Sequence, residues 1–215
     1  RPECLAAAVK SISYMRRLES LKIIIKARSD TIFSSARQIL PVTLHRLRKL
    51  KGLFLDFQTM LGIKDYELMN TFRSISSLEE LTHLTLSFTT GCTNTGYHTY
   101  DTINLKEEAV EILCDSLDKL RKLEHLYIEF SCENEAGALL LSKSFAKIGQ
   151  LQNLKWVMNG CQLSSVGVAK ILASIGTLNK LFEINLSFFE CVVFEDKHLK
   201  QFGNYCSRMP RLKKV

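Results

Sequence analysis

The side chains best able to do covalent or metal chemistry in this chain are seven cysteines and five histidines, and their spacing keeps them apart. Cys4, Cys92, Cys114, Cys132, Cys161, Cys191 and Cys206 include no CxxC pair. A zinc site needs clustered ligands, which this spacing does not provide. His45, His83, His98, His125 and His198 are equally scattered. The nearest approach to a reactive pair is Cys92 with His98, inside the segment TTGCTNTGYHTYDTIN at 89–104. A nucleophile needs a base that a third group orients, and the segment supplies none. The chain has neither a glycine-rich phosphate loop nor an HExxH run. The sequence therefore predicts no catalytic residue, no cofactor and no metal site. An odd number of dispersed cysteines predicts reduced thiols and an intracellular setting, whether cytoplasm, nucleus or organelle matrix.

If the chemistry is recognition, something must present the recognising side chains, and the chain repeats that element. LRKLEHLYIEF at 120–130 carries apolar residues first three apart and then two apart. Spacing of three suits a tight turn out of a helix, and spacing of two suits a strand with one buried face. The same line returns as MRRLESLKIII (15–25), LRKLKGLFLDF (47–57), LEELTHLTLSF (78–88), IGQLQNLKWVM (148–158) and LNKLFEINLSF (178–188), then stops in MPRLKKV (209–215). With the first strand residue as anchor, Leu21, Leu53, Leu84, Leu126, Leu154, Ile184 and Val215 lie 32, 31, 42, 28, 30 and 31 residues apart. Such periods indicate stacked units.

Apolar residues also recur nine before the anchor (Ile12, Leu44, Ile75, Leu117, Phe145, Ile175, Cys206). Others recur sixteen before it (Leu5, Leu68, Val110, Ala138, Val168, Leu199), with Arg37 as the one exception. Helical spacing of this kind predicts a helix ahead of each strand. Asn104 with Glu107 reads as a capping box, Ser164 or Ser165 as a cap for the helix through Ile175, and Pro41 as a stop after Leu40. Parallel strands stack at about 4.8 Å, and helices are wider. The stack must curve, with strands inside and helices outside.

The run C-x-L-x-x-x-G-x-x-x-x-L, here Cys161, Leu163, Gly167 and Leu172 after the strand of Trp156 and Met158, resembles the leucine-rich repeat family in its ribonuclease-inhibitor-like subclass. The LxxLxxLxLxF approach is also similar to divergent repeats of ciliated protists. The resemblance implies an α/β horseshoe over residues 1–215, with about six full repeats, a truncated seventh and an inserted loop at 89–104. It implies a protein-binding role, and some relatives in the subclass are GTPase activators. The column where the family places Asn or Cys reads Arg28, Met60, Gly91, Glu133, Cys161 and Cys191, so the N-terminal turns are expected to be less regular.

The concave face is then set by outward strand residues. Phe54, Asp56, Tyr127, Glu129, Lys155 and Phe189 are the expected partner-binding set, with Phe54 and Tyr127 as anchors. The 89–104 loop, with Tyr97, His98, Tyr100 and Asp101, is expected to project from one rim. The formal charge is +7, and much of the surplus sits in the turns before strands. Arg46, Arg48, Lys49, Arg121 and Lys122 predict a basic edge facing an acidic protein, RNA or part of a large assembly. No apolar run reaches the roughly 18 residues that span a bilayer. The chain starts without Met and ends inside a repeat, which predicts a piece of a longer chain or complex.

Overall fold

The structure is a computed structural model that describes residues 2–26, 34–58, 65–90, 101–102, 104–189 and 195–215. Helices and strands alternate: α1 (Pro2–Ile12), β1 (Ser20–Lys26), α2 (Ser34–Arg46), β2 (Gly52–Gln58), α3 (Asp65–Ile75) and β3 (His83–Thr90). Two short strands, β4 (Asp101–Thr102) and β5 (Asn104–Leu105), precede α4 (Glu107–Leu117) and β6 (His125–Glu129). The chain continues through β7 (Ser131–Cys132), α5 (Glu135–Lys147), β8 (Asn153–Asn159), α6 (Ser165–Ile175), β9 (Glu183–Phe189) and α7 (Asp196–Cys206).

The long strands form one parallel sheet in the order β1-β2-β3-β6-β8-β9. The anchor column pairs in register throughout, Leu21 with Leu53, Leu84, Leu126, Leu154 and Ile184 in turn. The LxxL spacing has a local cause. In each turn the N–H of the second apolar residue donates to the carbonyl of the first, as in Leu50 to Leu47, Leu81 to Leu78, Leu123 to Leu120 and Leu181 to Leu178. This tight turn points both residues into the core, where Leu47, Leu50, Leu78 and Leu81 are fully buried.

A second regularity joins one repeat to the next. The carbonyl of Glu19 accepts from the N–H groups of Lys51 and Gly52, and that of Lys51 from Thr82 and His83. Thr82, Glu124, Gln152 and Phe182 continue the pattern as far as Lys213 and Lys214, at donor–acceptor distances of 2.6–3.2 Å. The joint is made by backbone groups, with the Thr82 hydroxyl adding one bond to the Lys51 carbonyl at 3.0 Å, so Glu, Lys, Thr, Gln and Phe all serve at that position.

The core is one cluster running from Val9 to Met209. An aromatic row crosses it, with Phe57 stacked on Phe88 (5.3 Å between centroids) and Phe88 tilted against Phe130 (5.9 Å). Trp156 lies edge-on to Phe145 and Phe188.

Three expectations are corrected. Pro41 does not stop α2, which continues to Arg46, because the buried Leu40, Leu44 and Leu47 hold both halves of the helix on the core. The Asn104–Glu107 capping box is not formed. Asn104 and the buried Leu105 are drawn into a parallel ladder with Ser131 and Cys132, and Lys106 takes the N-cap without a side-chain bond. In α7 the inward position belongs to His198, 1 % exposed, while Leu199 is 60 % exposed. His198 is accommodated because both ring nitrogens are bonded, Nδ1 accepting from Glu195 N–H at 3.1 Å and Nε2 meeting Ser165 Oγ at 3.1 Å. Of the 89–104 insertion, 91–100 lie outside the described residues, and its described ends join strands. β4 pairs antiparallel with the tail of β3, Thr89 with Thr102 and Thr90 with Asp101, beyond the point where β6 leaves β3.

Ser164 does cap α6, accepting from Gly167 N–H at 3.0 Å, and Asn134 caps α5 in the same way through Gly137 at 3.0 Å. Gly167 has a reason of its own: a Cβ there would lie 2.2 Å from the Glu135 carboxylate, which accepts from Ser164 N–H.

Candidate functional site

Alternation along the strands turns two columns of side chains away from the core. The first column reads Lys22, Phe54, Thr85, Tyr127, Lys155 and Asn185 across the sheet, and the second reads Ile24, Asp56, Ser87, Glu129, Val157 and Ser187. Strand spacing of about 4.8 Å brings neighbours within a column into contact. The Lys22 ammonium sits 4.5 Å from the centre of the Phe54 ring, and Lys155 sits 4.3 Å from that of Tyr127. Each is a cation–aromatic pair that holds a flexible lysine in place.

The second column supplies the opposite charge. Tyr127 donates its hydroxyl hydrogen to Glu129 Oε2 at 2.6 Å, and Ser87 Oγ donates to the same oxygen at 2.7 Å. Asp56, two strands from Glu129 in the same row, is 7 % exposed. Burial, the bond to Glu129 and the charges of Glu129 and Asp56 push the Tyr127 phenol above its ordinary range. It stays a neutral donor, and the ring stays a neutral platform for Lys155.

Toward the start of the strands a groove of about 260 Å³ opens beside this cluster, lined among others by His83, His125, Tyr127, Asn153, Lys155 and Glu183. The His83 and His125 rings stack at 4.0 Å with planes 11° apart. Burial lowers the His125 pKa, and the neighbouring His83 lowers it further. Asn153 donates to Glu183 at 3.2 Å, and Lys214 meets Glu183 at 3.6 Å, so the polar row continues to the last repeat.

This arrangement holds charge and apolar surface in fixed places. The Cys114 thiol is on the helical side and is pushed up to about 12, chiefly by burial, which leaves it protonated and unreactive near neutrality. Among the described residues no group of three or more His, Cys, Asp or Glu could hold a metal ion.

Phe54, Asp56, Tyr127, Glu129 and Lys155 thus lie together on one face. Phe189 ends β9, and its side chain lies outside the described residues, as do Tyr97, His98 and Tyr100 and the side chain of Asp101. The basic edge is interrupted. Lys122 is bound by Glu80 at 2.6 Å, across from the neighbouring repeat, while Arg46, Arg48, Lys49 and Arg121 are exposed. From sequence, His83 and His125 share the position one residue before the anchor and read as surface-turn residues, and the groove adds Asn153 and Glu183 at that same position to their row.

Set beside known proteins, the chain matches no protein-family model and no curated protein. Among solved structures it is similar to the tropomodulin C-terminal domain of Caenorhabditis elegans, with a TM-score of 0.50 and 8% identity over 94% of this chain and 92% of that one. It is also similar to an internalin from Listeria monocytogenes, with a TM-score of 0.46 and 14% identity, over 96% of this chain and 49% of that one. The fold is leucine-rich-repeat-like. At such identities the likeness concerns the arrangement of strands and helices. In the described residues no helix is long and apolar enough to cross a membrane.

Proposed function

We propose that this repeat array is a non-enzymatic recognition scaffold that binds a protein partner on its concave sheet. The observation that carries the reading is the pair of lysines fixed on Phe54 and Tyr127 beside the Glu129 carboxylate. Flexible charged side chains lose entropy when a partner immobilises them, and side chains already held in place lose less. Aromatic rings on a rigid face supply contact area at low entropic cost. The finer likeness to the ribonuclease-inhibitor-like subclass rests on the Cys161–Leu172 run, whose Cys161 and Leu163 are buried. The free thiols of Cys4, Cys114 and Cys206 fit an intracellular setting.

The test compares partners captured from the cells that make the protein by the wild type and by Phe54→Ala/Tyr127→Ala, after circular dichroism has shown both folded. A partner whose affinity falls about tenfold or more (about 1.4 kcal/mol) in the double variant, and stays unchanged in Arg48→Glu/Lys49→Glu, supports the concave reading. An unchanged set of partners overturns it. A second reading, a subunit of a large assembly docking its basic turns on an acidic or RNA surface, is favoured by the exposed Arg48 and Lys49, which make no ion pair among the described residues. In that case the charge-reversal variant loses binding, the aromatic variant keeps it, and affinity falls steeply with salt.

A further inference from the structure

The opposite face carries a second surface, independent of the concave reading. Between α2 and α3 runs a groove of about 690 Å³. Its walls recur at helical spacing: Pro41, Val42, His45 and Arg46 on α2, with Tyr66 and Arg73 among those on α3. The groove therefore follows the helix axes for about two turns, or roughly 10 Å. One end is apolar. Val42 is 56 % exposed and Tyr66 49 %, and both face the same channel, with the rigid Pro41 ring beside them. The other end is cationic. Arg46 makes no ion pair among the described residues, and Arg73 donates to the neutral Asn70 amide oxygen at 3.1 Å.

Two carboxylates lie nearby. Glu67 lines the groove at 6 % exposure, so Arg46 and Arg73 leave a net positive charge against it, and Asp65 is bound by Lys106 at 2.6 Å. Basic residues in the last turn of a helix offset the negative end of its dipole, which accounts for one cation on each helix. That effect does not account for two large apolar side chains left in water in the same channel. Exposed apolar surface rimmed by one sign of charge marks an interaction site.

We propose that this groove docks an acidic amphipathic segment of a partner protein. An apolar side chain of the segment seats against Val42 and Tyr66, and a carboxylate one to two helical turns along the same face meets Arg46 and Arg73. Val42 and Arg46 are one turn apart and Tyr66 and Arg73 two turns, so the ligand pattern is an aromatic or aliphatic residue with Glu or Asp at i+4 or i+7.

Two short fluorescein-labelled helical peptides provide the test by anisotropy, one with Phe followed by Glu at i+4 and i+7, the other with Lys at the Glu positions. The Glu peptide is expected to bind. Its affinity should fall about tenfold or more in Arg46→Glu/Arg73→Glu and in Val42→Asp, and stay unchanged in Arg121→Glu and in Tyr127→Ala. Because all four substituted groove and edge positions are exposed, the variants should keep the wild-type circular dichroism spectrum, and Val42→Ala gives a milder check on the apolar end. Equal binding of the Lys peptide, no binding of the Glu peptide, or indifference to the groove variants overturns the proposal. Displacement of the Glu peptide by single-stranded RNA with abolition in Arg46→Glu/Arg73→Glu but not in Val42→Asp would assign the groove to nucleic acid and overturn it equally.

Discussion

Tyr127 shows how one residue serves two columns at once. Its ring carries Lys155 and its hydroxyl donates to Glu129. Tyr127→Phe keeps the platform and removes the donor, so stability should fall by about 1 kcal/mol in urea unfolding while the lysine stays in place. Near-ultraviolet absorbance titration provides a second check. Ordinary tyrosines ionise near about pH 10, and Tyr127 should remain neutral there, so Tyr127→Phe should leave the absorbance rise at that pH unchanged. His125 sets a different dependence. Its pKa is lowered in the fold, so the unfolded chain takes up a proton first as pH falls. Its effect on stability is absent above the unfolded value of about 6.5, and stability is lost as pH drops from there through the lowered value. His125→Asn should flatten the decline in urea midpoint across that window, and an unchanged slope would sink the account.

At the scale of elements, the strands were legible and the caps only partly so. Anchor spacing read from Leu21 to Ile184 reproduces the register of every long strand, because a period of two leaves one choice of buried face. What spacing does not carry is which polar neighbours bond. Asp56, Ser87 and Glu129 were each placed outward, but the shared oxygen of Glu129 depends on side-chain reach. His198 was missed because a buried histidine gives no apolar signal, and its partners Ser165 and Glu195 lie in a neighbouring repeat and a turn. Asn134 and Ser164 are equivalent caps, so Asn134→Ala and Ser164→Ala should each cost about 1 kcal/mol in thermal unfolding. Pro41 sits inside a helix that tertiary packing maintains. Pro41→Ala should raise stability, by up to about 3 kcal/mol, and a loss instead would mean that the ring itself packs usefully.

The whole molecule is a row of stacked units joined by one continuous core. Burial is most complete in the middle: Leu55, Leu86, Ile128 and Trp156 are fully buried, whereas Ile23 is 8 % exposed and Leu186 is half-buried. Amide hydrogen exchange should therefore be slowest in β2, β3, β6 and β8 and faster in β1 and β9. Phe88 touches Phe57, Phe72 and Phe130 and thereby links three repeats. Phe88→Ala should cost about 3–5 kcal/mol and shift that gradient toward the C-terminal half.

The doubly accepting carbonyls from Glu19 to Phe182 give the array a spine on one margin. Each vertebra there has the same pitch whether 42 residues or 28 separate successive anchors. Growth and shrinkage of a unit are thereby steered to the opposite margin, where β4 and β5 are accommodated. Natural or engineered length changes placed after a strand should be absorbed, and the same change placed between a helix and its strand should throw every later unit out of line.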